Sequence, residues 1–332
     1  MDEKKYPYQQ RRVRANEHIR SMLATVQLHH KDFIQPIFID EAIALRTPIA
    51  SLYDVHTDTL QSAIQQIQAD IQNGIHKFLL FPIPAHKSNA KFNFSWFAQV
   101  IKMIKQTFGN TVWIAADVCL CAYTSHGHCG ILNDQGNKVL NDASVKVIAS
   151  YALELANAGA DCIAPSDMMD GRIKAIRNIL DEHQLDDVVI MSYASKFASQ
   201  FYGPFRDACK SSPSLSNVLN NRKTYQISPF NLQDALQCAS RDAAEGADIL
   251  MVKPAMAYAD IIEKVSTQNN IPVAAYHVSG EYQSIELLAQ HQLLDRANGH
   301  IEVWTTLKRS GAAIIISYAA RYAKKWIENI AY

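Results

Sequence analysis

No run of apolar residues in this sequence approaches the ~20 that a membrane-spanning helix needs. The opening stretch is polar and charged (Asp2, Glu3, Lys4, Lys5) and contains no hydrophobic segment, so it does not read as a secretory leader. Net charge is also lacking. Lys and Arg together number 32, as do Asp and Glu, so no strong field draws the chain to nucleic acid or anionic lipid. No G-x-G-x-x-G follows the first apolar run, which removes support for a dinucleotide-binding fold. No long low-complexity linker divides the chain. These absences lead us to expect a cytoplasmic protein with neither a membrane nor a nucleic-acid partner. In that reducing compartment the six cysteines read as metal ligands, reactive thiols or core residues rather than disulfides.

What is present is a recurrent alternation. Short runs rich in Val, Ile and Leu lie at 33–39, 76–81, 111–117, 161–165, 188–192, 248–253, 272–277 and 313–318. They are nearly continuous rather than alternating, the pattern of strands buried on both faces of a parallel sheet. Helix-length stretches separate them. Residues 58–73 place Leu60, Ile64, Ile67 and Ile71 on one face. Residues 142–157 open with Asp142 as a cap candidate. Residues 231–245 open with Asn231 and stop at Gly246. Ala158-Gly-Ala-Asp161 and Glu245-Gly-Ala-Asp248 are near copies, each ending a helix at Gly and starting a strand at Asp. The alternation predicts a (β/α)8 TIM barrel, with an open doubly wound sheet as the alternative. Residues 1–30 precede the first strand and read as an N-terminal arm, and 31–332 as the catalytic barrel. The polar insertion at about 197–230 has the length of an active-site lid.

In a barrel, active residues belong at the C-terminal ends of strands. Those ends carry Asp117 with Cys119 and Cys121, Ser166 with Asp167, Lys196, Lys253, Tyr276 with Ser279, and Tyr318. Cys119, Cys121 and Cys129 form C-x-C-x7-C. In an extended segment the first two point the same way, and Gly127 lets the loop return Cys129 to them. Thiolates favour Zn2+. Three ligands would leave an open catalytic position; His126 or His128 as a fourth would close the site, and spacing does not choose between them. Lys253 ends an apolar strand, where loss of water favours the neutral amine that attacks ketones. Lys196 ends the strand before it. Arg206, Arg222, Lys223 and Gln226 in the insertion suit carboxylate recognition.

Six motifs then resemble the delta-aminolevulinic acid dehydratase family, in its order and at its spacing. They are the cysteine loop, Ala164-Pro-Ser-Asp-Met-Met-Asp-Gly-Arg172, Met191-Ser-Tyr-Ala-Ser-Lys196, Phe201-Tyr-Gly-Pro-Phe-Arg-Asp-Ala208, Met251-Val-Lys-Pro-Ala255 and Tyr276-His-Val-Ser-Gly-Glu281. The resemblance implies condensation of two 5-aminolevulinate molecules to porphobilinogen with loss of two waters, in tetrapyrrole (heme) biosynthesis. It implies that Lys253 and Lys196 form Schiff bases with the propionate-side and acetate-side substrates. Arg206, Arg222 and Gln226 would hold one carboxylate, Ser279 and Tyr318 the other. Asp117, Ser166, Tyr193 and Tyr276 would line the site, with catalytic zinc on the three cysteines. A homo-octamer built through the N-terminal arm is also implied.

Three departures stand out. Ala194-Ser195 inverts the family's usual pair. Thr224 stands where some members carry a cysteine that bears on a second zinc. Cys238 stands where many bacterial members have a glutamate for a stimulating Mg2+, so an allosteric Mg2+ is not expected. Residues 84–96 also differ from the family's usual loop. A class I aldolase would need neither the tri-cysteine loop nor a second lysine. A zinc-containing binding module would leave both lysines idle.

Overall fold

Each apolar run forms a strand. The computed structural model describes residues 10–209, 211 and 219–330. Its strands are β1 (Phe33–Asp40), β2 (Thr47–Pro48), β3 (His56–Asp58), β4 (Lys77–Ile83), β5 (Trp113–Val118), β6 (Cys162–Pro165), β7 (Val189–Lys196), β8 (Ile249–Lys253), β9 (Val273–His277) and β10 (Ile314–Ser317). β1 and β4 to β10 pair in parallel in chain order, and β10 closes onto β1 through Phe33–Ile315 and Ile34–Ile316. This is the closed (β/α)8 barrel, not the open sheet. The strands are buried along nearly their whole length, which is why their sequences do not alternate. β2 and β3 form a small appendage on the end of β1.

The helices follow their sequence signals, with two corrections. The first is Leu60–Gln72, which starts two residues later than the stretch 58–73: Thr59 is its cap, its Oγ1 accepting the Ser62 N–H at 3.1 Å, while Asp58 accepts the Ser62 hydroxyl. The helix Asn141–Asn157 has Asp142 inside its first turn, and its cap residue Leu140 offers no side-chain bond. Asn231 does cap Leu232–Ala244, accepting the Asp234 N–H at 3.2 Å. In the twin motifs Gly159 and Gly246 take φ of +100° and +102°, which only glycine adopts freely. Asp161 and Asp248 then do the same work: each carboxylate accepts, at 2.7 Å, a backbone N–H of the preceding strand, Ile114 and Ile190 respectively. No described helix is long and apolar enough to cross a membrane.

Within the segment read as an arm, residues 1–9 lie outside the described residues, and Gln10–Arg14 and Glu17–Met22 are short helical pieces with no buried residue. Of the insertion, Gly203–Ala208 is helical, and residues 210 and 212–218 lie outside the described residues.

Candidate active site

The lysine pair is set by backbone register. β7 carries one extra residue opposite β8: Ser192 faces Leu250, yet Ser195 faces Val252 and Lys196 faces Lys253. A bulge of this kind re-aims the side chains beyond it. It makes Lys196 and Lys253 direct neighbours at the strand ends. The inverted pair Ala194-Ser195 sits in that bulge, with the Ser195 hydroxyl donating outward to the Ala235 carbonyl at 2.8 Å.

Both lysines are buried. Their ammonium nitrogens lie over the same Tyr193 ring, 5.4 Å (Lys196) and 4.9 Å (Lys253) from its centroid. Lys253 is also 4.0 Å from the Tyr276 centroid and 4.9 Å from that of Phe205. Burial first, and Lys196 second, push Lys253 down to about 7. Lys196 donates to the Ser166 carbonyl. A small cavity between the lysines is walled by Asp117, Cys121, Ser166, Tyr202, Phe205 and Arg222. Burial raises Asp117 to about 6, against the pull of Lys196.

The three thiols form the one group of at least three metal-ligating side chains among the described residues, within 4.8 Å of one another and all buried. The local geometry differs from expectation. Cys119 is extended, but Leu120–Ala122 is a tight helical turn, and this turn sets the Cys119 and Cys121 sulfurs 3.1 Å apart. Gly127, at φ +73°, turns the loop back to Cys129. Thiols of Cys119 and Cys121 directed at Cys129 hold Cys129 well below the ordinary thiol range. Three sulfurs converging on one point fit a zinc-preferring metal. Neither histidine joins them. His128 Nε2 donates to the Leu219 carbonyl at 2.7 Å, and its Nδ1 pairs with the Tyr225 hydroxyl at 3.1 Å. His126 Nδ1 accepts the His128 N–H at 3.0 Å. The insertion therefore rests on the cysteine loop, and Arg222 adds a bond to the Gly127 carbonyl at 2.8 Å.

The remaining expected residues divide. Arg206 and Arg222 are close enough for Arg222 to depress Arg206, after burial. The Tyr318 hydroxyl lies 3.4 Å from that of Tyr276. Ser279 does not line the inter-lysine cavity; its hydroxyl donates to the Phe201 carbonyl at 3.2 Å and accepts the Phe205 N–H at 3.0 Å. Gln226 is 3% exposed and lines a separate outer groove with Asp170, Asp234, Cys238 and Arg241. Asp117 Oδ1, the Tyr193 hydroxyl, Arg206 Nε and both amide atoms of Gln226 are buried without a hydrogen-bond partner. Buried polar atoms are normally satisfied, so Asp117, Tyr193 and Arg206 each have hydrogen-bonding capacity to spare.

Sequence reading missed several contributors. Tyr202 and Phe205 wall the cavity, and Tyr225 packs on the thiols. The fully buried Arg172 pairs with Asp242 at 3.0 Å and bonds to Ser192 and the Tyr193 carbonyl of β7. An arginine is rarely buried whole, but nothing in sequence marks one that is. Tyr202, Phe205 and Arg172 all lie inside the motifs quoted above.

The family model of delta-aminolevulinic acid dehydratase matches residues 7–326. The chain is 40% identical over 321 residues to the delta-aminolevulinic acid dehydratase of Bacillus subtilis (strain 168), covering 96% of this chain and 97% of that one. It is 41% identical over 323 residues to that of Halalkalibacterium halodurans, covering 96% of each. A crystal structure of delta-aminolevulinic acid dehydratase (porphobilinogen synthase) from Toxoplasma gondii ME49, in complex with the reaction product porphobilinogen, aligns at a TM-score of 0.91 and 34% identity, over 98% of this chain and 93% of that one. With barrel, lysine pair and thiol cluster all inside the matched span, the chain belongs to the delta-aminolevulinic acid dehydratase family.

Proposed function

We propose that the protein condenses two molecules of 5-aminolevulinate to porphobilinogen, releasing two waters, with Lys253 and Lys196 as the imine-forming amines and zinc on Cys119, Cys121 and Cys129. The observation that carries this reading is the direct pairing of Lys196 with Lys253 across β7 and β8, beside a cavity whose wall includes Cys121.

A ketone is attacked by a neutral amine, and burial lowers Lys253 to about 7, so a substantial fraction of it is neutral near pH 7. Its nitrogen forms a bond to the substrate C4, and the ketone oxygen departs as water once proton transfers are complete. Each imine releases one water. The lysine amines are then displaced, without water, as one C–C bond and one C–N bond form between the two substrates and protons are lost to give the pyrrole, so the net loss is two waters. Arg206 and Arg222 hold one substrate carboxylate, and the unpartnered amide of Gln226 turns from the outer groove to join them. Tyr318 holds the other carboxylate, together with Ser279 once its hydroxyl gives up the Phe201 carbonyl. Asp117, Ser166, Tyr193 and Tyr276 line the cavity. Cys119, Cys121 and Cys129 would hold the zinc, which would supply Lewis acidity. The product is the pyrrole unit of tetrapyrroles, so the reading assigns the step to heme synthesis, and we take its compartment to be the cytoplasm. We further propose a homo-octamer joined through the N-terminal arm.

The test is incubation of the zinc-loaded protein with 5-aminolevulinate and assay for a pyrrole. The wild type yields product, and Lys253→Ala yields none. An aldolase or a non-catalytic zinc module would also yield none from the wild type. Wild-type product formation by Lys253→Ala would overturn the role of that lysine.

A further inference from the structure

A buried carboxylate outside the reaction just described ties two strand ends together. Glu281 lies in the first turn of the helix Ser279–Gln290 and is fully enclosed. Its Oε1 accepts the backbone N–H of Met256 at 2.7 Å and of Ala257 at 3.4 Å. Its Oε2 accepts those of Val278 at 2.9 Å and Ala255 at 3.3 Å. Three of these donors belong to the turn that leaves β8 immediately after Lys253. The fourth belongs to the turn that leaves β9, whose Tyr276 is the ring nearest the Lys253 amine. The Lys253 carbonyl is held as well, by the Phe197 N–H at 2.9 Å and the Tyr202 hydroxyl at 3.0 Å.

Four donors converging on two oxygens suit a group that accepts everywhere and donates nowhere, which is an ionised carboxylate. Burial pushes Glu281 up to about 7 and the four bonds pull the other way, so the lock is complete only above that pH. An amide would aim its NH2 at backbone N–H groups. We propose that Glu281 is the positioning residue for Lys253: it locks the ends of β8 and β9 together and so holds the lysine amine against the Tyr276 ring, out of water. The inference rests on the reading of Lys253 as the imine-forming amine. Glu281 touches neither substrate nor amine; it acts through the backbone.

The consequence is a measurable link between a remote carboxylate and the lysine's chemistry. Loosening the β8–β9 junction lets water reach Lys253, and burial is the main reason its amine is lowered to about 7. Adducts of 5-aminolevulinate on Lys253 can be trapped with borohydride and counted by peptide mass across pH. In Glu281→Gln the pH midpoint of trapping should move upward, and the trapping rate at pH 7 should fall at least about tenfold. Metal uptake by the three thiols should stay as in the wild type, since that loop does not contact Glu281 through any of the four bonds above. Glu281→Asp, which keeps the charge but withdraws it by one methylene, should fall between the two. A folded Glu281→Gln protein with the wild-type midpoint and rate would overturn the proposal; should that variant fail to fold, Glu281→Asp decides by the same two readings. No adduct on Lys253 in the wild type would instead sink the underlying reading of the lysine.

Discussion

At the scale of single residues, the proposed imine chemistry depends on how far the charge of Lys253 is disfavoured. Two effects oppose each other. The aromatic faces of Tyr276, Tyr193 and Phe205 attract a cation, worth about 0.5–2 kcal/mol for a contact of this kind. Burial and the neighbouring Lys196 disfavour it, and they win, because the amine is lowered to about 7. The sign follows directly. Below pH 7 the amine is mostly charged and cannot attack; above it the nucleophile is present. Imine trapping on Lys253 should rise roughly tenfold per pH unit below the midpoint and level off above pH 8. An ordinary lysine would keep gaining up to pH 10. Lys196→Met removes the second cause and leaves the first, so the trapping midpoint should rise above 7 while staying below 10. A midpoint unchanged by Lys196→Met would show that the two amines do not sense each other.

At the scale of elements, the strands were legible because burial on both faces leaves an uninterrupted apolar signature. The barrel's closure was not, since a closed and an open parallel sheet share that signature. The bulge in β7 was illegible too: Ala194-Ser195 shows that something differs there, but register is a property of two strands. The cysteine loop was found by spacing, although its turn is helical rather than extended.

The helix Leu232–Ala244 illustrates a reading that structure sharpens. Asp234 and Asp242 flank Cys238 on one helical face by sequence, as though either could hold a displaced Mg2+. Asp242 is instead fully buried, bonded to Arg172, Arg241 and Ser192. Cys238 directs its thiol to Asp234 at 3.6 Å, and burial pushes that thiol up to about 11, so it is uncharged near neutral pH. The groove also contains the Arg241 cation, paired with Asp170. A hydrated Mg2+ needs carboxylate oxygens, and the helix presents only Asp234. Titrating Mg2+ into the zinc-loaded protein at fixed ionic strength should leave pyrrole formation unchanged, and Cys238→Glu should gain a response. A several-fold saturable rise in the wild type would show that a Mg2+ site persists in another form.

At the scale of the whole molecule, among the described residues the barrel accounts for nearly all of the buried core, and those preceding it for almost none. Among the described residues, Leu28 is the first to join the core. Before it, Gln10–Arg14 and Glu17–Met22 span five and six residues, far short of the ~12–15 that a lone helix needs in water. Of their apolar side chains Val13 and Met22 are 44% and 71% exposed, as is the C-cap Leu23 at 48%, and Ile19 is only partly buried. Turns this short gain stability only by packing against something, and this chain's own barrel fully buries none of their described residues. A second copy would supply that burial, as the proposed octamer requires. Later residues do belong to the barrel: the Lys31 carbonyl accepts from Lys77 at 2.8 Å, and Asp32 pairs with Lys308 at 3.0 Å. The informative cut therefore falls between these groups. Deleting residues 1–23 should leave the circular dichroism of the barrel intact and move the sedimenting species from the octamer to a smaller assembly. Because the arm would hold copies together without forming the barrel, the loss should be one of mass and not of fold. An octamer from the truncated chain would show that the barrel surfaces assemble without the arm.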